Sequence, residues 1–129
     1  MSVAAVTANP AAPQVQTLLV RYFTAINEHG YSQYSSVLDQ QMQQDNPSSS
    51  FAAGYATTRD SAETVTGISD TGGGDLAVRV TFTSRQDPAD SPDNSSCTDW
   101  AITLYVVPQD GNYLIGSPPS SYSPSYHAC

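Results

Sequence analysis

Few residues in this chain of 129 could perform acid–base, nucleophilic or metal chemistry, and they are widely spaced. The histidines are His29, near the end of a predicted helix, and His127, in the tail. No Gly-x-Ser-x-Gly motif, Cys–His pair or fixed pair of carboxylates indicates a nucleophile with its base. No Cys-x-x-Cys or His-x-x-x-His spacing offers metal ligands. We therefore predict neither a metal site nor a cofactor.

The two cysteines, Cys97 and Cys129, could form a disulfide. Cys97 opens a predicted strand, and the tail that ends at Cys129 leaves the return strand on the side where that strand begins. A bridge would close a loop of about 33 residues and add about 3–4 kcal/mol of stability. Disulfides persist in oxidising compartments, so pairing predicts an extracytoplasmic location. Two unpaired thiols are the alternative.

The charge balance excludes some classes of partner. The net charge is -8, with four basic and twelve acidic residues. Nucleic acids and anionic membrane surfaces both require basic patches, so neither is expected. No apolar run of about 18 residues could cross a bilayer.

The N-terminal segment, residues 1–13, is rich in Ala, Val, Thr and Pro and is predicted to be a flexible linker. It lacks the basic and long apolar regions of a signal peptide. We expect an export signal or membrane anchor upstream. A complete cytoplasmic protein with a frayed N-terminus is the alternative.

Alternating residues predict antiparallel strands in the second half of the chain. The segment from Cys97 to Gly116 predicts a hairpin with its turn at 108–111, and its first strand points one apolar face inward: Trp100, Ile102, Leu104 and Val106. The strand after the glycines at 72–74 also alternates, with Leu76, Val78, Val80 and Phe82 inward. A weaker strand is predicted from Ser61. This inner face contains no carboxylate or imidazole, so only loop acids could act there as a base.

Helices are predicted in the first half, before the strands. Pro13 suits a first helical turn, and apolar residues then recur at three- and four-residue spacing as far as Ile26. A short helix is predicted at 32–38 and another from Phe51, whereas 39–46 has no clear assignment. We expect the first helix to cover the sheet at Trp100, Ile102 and Leu104, and the tail after Gly116 to be irregular.

This order resembles the nuclear transport factor 2-like superfamily, which includes ketosteroid isomerases, SnoaL-like cyclases and scytalone dehydratases. Three segments are similar: LLVRYFTAINEHGYSQYSSVLD to its opening helices, SSFAAGYATTRDSAETVTGIS to its helix-to-strand passage, and WAITLYVVPQDGNYLIG to its closing hairpin. The resemblance covers residues 14–117. It implies one α+β domain at 14–129, with N-terminal helices on a curved antiparallel sheet of about four strands, a cone-shaped, cystatin-like roll with a disulfide-tied tail.

The ketosteroid isomerase branch also implies candidate catalytic residues. Asp45, before Asn46-Pro47, matches its base, while Tyr22 and Asp99 could form the oxyanion hole. Each has a simpler interpretation: Asp45 forms a turn, Tyr22 belongs to the core, and Asp99 faces solvent opposite Trp100. The candidate lining of a cavity is Tyr22, Tyr34, Phe82 and Trp100.

Three functions remain open at this stage. The first is a non-catalytic extracytoplasmic domain of a membrane-anchored bacterial protein that binds a small ligand or a protein, as the Cys129 tail of similar exported members implies. The second is a small isomerase or cyclase of the ketosteroid isomerase type. The third is a structural or oligomerising module, for which a homodimer is a candidate state.

Overall fold

The computed structural model describes residues 1–129 and places four α-helices before an open antiparallel sheet. The helices are α1 (Ala12–Asn27), α2 (Tyr31–Ser36), α3 (Gln40–Asp45) and α4 (Ser48–Tyr55). The strands are β1 (Arg59–Gly72), β2 (Asp75–Arg85), β3 (Cys97–Gln109), β4 (Asn112–Gly116) and β5 (Ser125–Ala128). They are ordered β1-β2-β3-β4, and β5 also pairs with β3. The predicted α+β class is confirmed.

Helix α1 packs its apolar stripe toward the sheet, as its spacing predicts. Its buried side chains are Ala12, Val15, Leu18, Leu19, Tyr22, Phe23, Ala25 and Ile26. Its closest strands are β1 and β4, and the ring of Phe23 lies 5.0 Å from that of Phe82. Trp100 and Ile102 on β3 stay only half-buried. The prediction that α1 covers these two residues directly was wrong, because a cavity lies between them and the helix.

The segment at 39–46, which had no assignment, forms helix α3. Asp39 caps it, since its Oδ1 accepts a hydrogen bond from the Met42 amide at 2.9 Å. The segment is tied to β4 because the Asp39 amide donates to the Ile115 carbonyl at 2.9 Å, and the Ile115 amide donates to Val37 at 2.8 Å. These bonds hold the short helices against the sheet edge.

Both predicted hairpins form. Asp110 and Gly111 connect β3 to β4 with φ values of 51° and 82°, the left-handed conformation that a two-residue hairpin turn requires. Strand β1 begins at Arg59, two residues before the predicted Ser61, and its pairing with β2 shifts register between Ser61 and Thr64. That bulge changes which side chains of β1 face inward.

The N-terminal segment is packed rather than free, which corrects the predicted linker at 1–13. The Ser2 amide donates to Glu63 at 3.0 Å, and the Val65 amide donates to Ser2 at 2.9 Å. A short 3-10 helix at Ala4–Val6 follows and places Val6 in the core. The edge of β1 offers unpaired backbone groups, and the apolar Val6 gains from burial, so this segment becomes ordered.

The tail also differs from its prediction, because its end forms strand β5 instead of irregular structure. Tyr126 lies opposite Trp100 in the pairing of β5 with β3, and the two rings are 5.0 Å apart. The disulfide between Cys97 and Cys129 is present, and the Cys129 amide donates to the Cys97 carbonyl at 3.1 Å. The bridge brings the tail alongside β3, where free backbone groups can pair.

Candidate functional site

A cavity of about 690 Å³ lies between the helices and the inner face of the sheet. This volume is within the range of small-molecule sites. Most of its wall is aromatic and aliphatic, and α1, α2, α4, β2 and β3 all contribute aromatic residues: Tyr22, Phe23, Tyr34, Phe51, Tyr55, Phe82, Trp100 and Tyr105. The four residues proposed from the sequence as cavity lining, Tyr22, Tyr34, Phe82 and Trp100, are among them.

The helical wall is a cluster of rings centred on Tyr34. Its ring centroid lies 5.6 Å from Tyr22, 4.6 Å from Phe51 and 5.9 Å from Tyr55. Burial raises the pKa of Tyr22 well above its ordinary value, and the neighbouring hydroxyls of Tyr55 and Tyr34 raise it further. Tyr22 therefore stays neutral at physiological pH, and its hydroxyl can donate one hydrogen bond.

The aromatic part of the sheet wall includes Phe82 and Trp100, whose rings are stacked at 6.3 Å with an interplanar angle of 12°. Beside them, the cavity reaches the loop that joins β4 to β5. The Tyr122 hydroxyl accepts a hydrogen bond from the Thr103 amide at 2.8 Å and holds this loop to β3. The loop therefore borders the cavity where β3 pairs with neither β4 nor β5.

Asp60, at the start of β1, is the one buried carboxylate in the cavity wall. It is 8% exposed, and its Oδ1 has no hydrogen-bond partner. Asn27, the last residue of α1, fixes the backbone at this point. Its side chain donates to the Asp60 carbonyl at 2.9 Å and accepts from the Asp60 amide at 2.7 Å.

A buried polar row continues from Asp60 across the sheet to Ser84 and Thr98. The Ser84 hydroxyl donates to Gln86 Oε1 at 2.7 Å, and Gln86 Nε2 donates to the Thr98 hydroxyl at 3.1 Å. Burial raises the pKa of Asp60 to about 6. A hydrogen bond with Ser84 lowers this pKa, and the negative charge of Glu63 raises it. Because Ser84 has a single hydroxyl proton, it cannot donate to both Gln86 and Asp60 at once.

The raised pKa of Asp60 predicts a pH dependence of stability. The folded value of about 6 exceeds the ordinary value of 3.8, so the folded state binds the proton more tightly. The free energy of unfolding should therefore fall as the pH rises from 3.8 to about 6, and the contribution of Asp60 to this fall is about 3 kcal/mol. We expect the difference in unfolding free energy between wild type and Asp60→Asn to change across this pH range. If the difference in unfolding free energy between the two proteins did not depend on pH, the raised pKa of Asp60 would be contradicted.

The three catalytic candidates from the sequence do not meet. Asp45 is exposed on α3, where its Oδ1 accepts from Gln41 Nε2 at 3.0 Å. Asp99 lies on the outer face of the sheet, because it alternates with Trp100, and accepts from the Thr83 hydroxyl at 2.7 Å. Of the three, only Tyr22 lines the cavity. Neither histidine lines it either, and both are exposed.

The prediction that the inner face of the sheet contains no carboxylate was wrong, because the Asp60 side chain lies on that face. Counting alternation back from the buried Val65 puts Asp60 on the outer face. The register shift between Ser61 and Thr64 reverses that assignment, and Ala62 has a φ of 57° at this point. A non-glycine bulge of this kind has no marker in the sequence, so the pattern alone could not locate Asp60.

Comparison with known proteins identifies no relatives: no protein-family model matches this chain, and no curated protein matches it. No three His, Cys, Asp or Glu side chains are grouped so that they could hold a metal ion. None of the helices combines the length and the apolar character needed to cross a membrane.

Proposed function

We propose that this chain is a binding domain whose cavity takes one small, largely apolar molecule. The observation that carries the proposal is the aromatic cavity of about 690 Å³ between the helices and the sheet. Binding sites typically combine apolar walls with a few polar groups, and here Asp60 and the Tyr22 hydroxyl are among the polar groups of the wall. The cavity separates α1 from part of β3, so Trp100 and Ile102 are left only half-buried and available for contact with a ligand.

The proposed location is outside the cytoplasm, and the disulfide between Cys97 and Cys129 supports it. Such bridges are maintained in oxidising compartments and reduced in the cytosol. Membership of the nuclear transport factor 2-like superfamily, bacterial origin and attachment to a membrane protein remain proposals that rest on the sequence resemblance. The order of helices before an antiparallel sheet agrees with that resemblance.

Narrowing the cavity should weaken binding without unfolding the domain. Ile102 is half-buried in the cavity wall, so Ile102→Trp places a larger side chain in the ligand space. We expect about a tenfold loss of affinity for naphthylmethanol, a neutral aromatic probe, measured by titration calorimetry. Ala101→Trp is the matched control, because the neighbouring Ala101 is exposed on the outer face. Absence of saturable binding to wild type, by this probe and by charged analogues of the same shape, would contradict the binding function and favour a structural or oligomerising module.

A second candidate is an isomerase or cyclase of the ketosteroid isomerase type. The presence of both Asp60 and Tyr22 in the cavity wall favours it, since a carboxylate could abstract a proton while a hydroxyl stabilises the developing oxyanion. In this version Asp60 takes the role first assigned to Asp45. Asp60→Asn should then abolish proton exchange on a β,γ-unsaturated ketone, whereas Asp45→Asn should leave it unchanged. No exchange by wild type would exclude this activity.

A further inference from the structure

We infer that the ligand of this cavity is an organic cation, an amine with an apolar body whose ammonium group pairs with Asp60. The inference rests on the proposed binding function and names the chemical class of the ligand. Three features of the wall support it: its charge, the unsatisfied carboxylate and the aromatic surfaces.

The charge of the wall is entirely acidic. Its ionisable side chains other than tyrosines are Asp60 and Asp90, and it contains no Lys, Arg or His. All four arginines of the chain are exposed, and none of them lines the cavity: Arg21, Arg59, Arg79 and Arg85. With a net charge of -8, the surrounding field also attracts cations. An anionic ligand would therefore find no positively charged side chain in this wall.

The Asp60 carboxylate is not fully satisfied by the chain, since Ser84 is the one side chain placed to donate to it. Its Oδ1 is buried without a hydrogen-bond partner, and the hydroxyl of Ser84 is already placed to donate to Gln86. An ionised carboxylate in this position is costly unless it is paired and hydrogen-bonded. A primary ammonium group has three donors and a compensating charge, so it would pair with the Asp60 carboxylate.

The aromatic part of the cavity wall suits the apolar body of such an amine. Tyr55 and Trp100 keep part of their rings accessible, and both line the cavity with Asp60. The faces of aromatic rings attract cations as well as burying apolar groups. An alkyl- or arylamine would therefore find a partner for its charge and apolar contact for its body within one site.

Three probes of nearly the same shape test the inference: naphthylmethylamine, naphthylmethanol and naphthoate, which are cationic, neutral and anionic at neutral pH. We expect titration calorimetry to show the amine binding at least about tenfold more tightly than the alcohol, with the carboxylate weakest. Asp60→Asn should retain binding of the alcohol and lose the preference for the amine. Asp99→Asn is the control, because that carboxylate lies on the outer face, and it should keep the preference.

The outcomes separate the inference from the proposed function. If none of the probes binds, the binding function itself fails. If the alcohol binds wild type as tightly as the amine, or if the preference persists without the Asp60 carboxylate, binding stands and the organic-cation inference is overturned. Asp60→Thr provides a second uncharged variant with a side chain suited to a strand, and circular dichroism establishes that each variant is folded before titration.

Discussion

Leu19→Ala is expected to lower the free energy of unfolding by about 3–5 kcal/mol, which is the range for a fully buried leucine. Leu19 is 0% exposed and belongs to the buried stripe of α1. Removing its side chain leaves a void among the surrounding core residues, which can relax only partly. Urea denaturation followed by circular dichroism would measure the loss.

Val20→Ala is the matched control, since Val20 is the next residue of the same helix and is 43% exposed. It also replaces an aliphatic side chain by alanine, but on the solvent face, and should change stability by less than about 0.5 kcal/mol. Equal effects at the two positions would mean that α1 does not present this face to the core, and the description of the helix would be wrong.

Replacing both cysteines by serine is expected to cost about 3–4 kcal/mol, because the bridge closes a long loop in the unfolded chain. The cysteines are 32 residues apart in sequence. All four residues of β5 are exposed, so little apolar burial holds this strand to β3 once the bridge is gone. We therefore expect hydrogen exchange to show lost protection from Ser125 to Cys129, together with the loss of stability.

Tyr126→Ser separates the contribution of the bridge from that of the strand contact. Tyr126 touches Trp100 but is 41% exposed, so its removal should cost less than about 1 kcal/mol while the disulfide is intact. If the double serine variant keeps both β5 protection and wild-type stability, the tail is held by the sheet pairing and the disulfide is not needed.

Asp60 connects the stability of the domain to its proposed function. A buried carboxylate without a partner for Oδ1 works against the fold at neutral pH, and the raised pKa expresses that cost. Residues that reduce stability in this way are found disproportionately at functional sites. A cationic ligand would relieve the cost on binding, so it should also raise the melting temperature.

The sequence alone determined the fold class and most of the elements, although helix α3 and strand β5 were not predicted. The spacing of apolar residues such as Leu18, Leu19 and Phe23 predicts a helix. The alternation from Trp100 to Val106 predicts a strand with one inner face. The Asp110-Gly111 turn could also be predicted, because few residue pairs tolerate its backbone conformation. These features are local: they depend on neighbouring residues along the chain and on a period that can be counted.

The full set of residues that form the cavity could be identified only from the tertiary structure. Asp60 faces the cavity because a bulge between Ser61 and Thr64 shifts the register of β1, and Asn27 from a distant helix holds it there. Residues 1–13 and the tail become ordered for the same reason, since each pairs with a strand edge that the rest of the fold supplies. Local patterns do not record which distant groups will be free to pair. The sequence therefore predicts most of the helices and strands, and their assembly determines which side chains line the cavity.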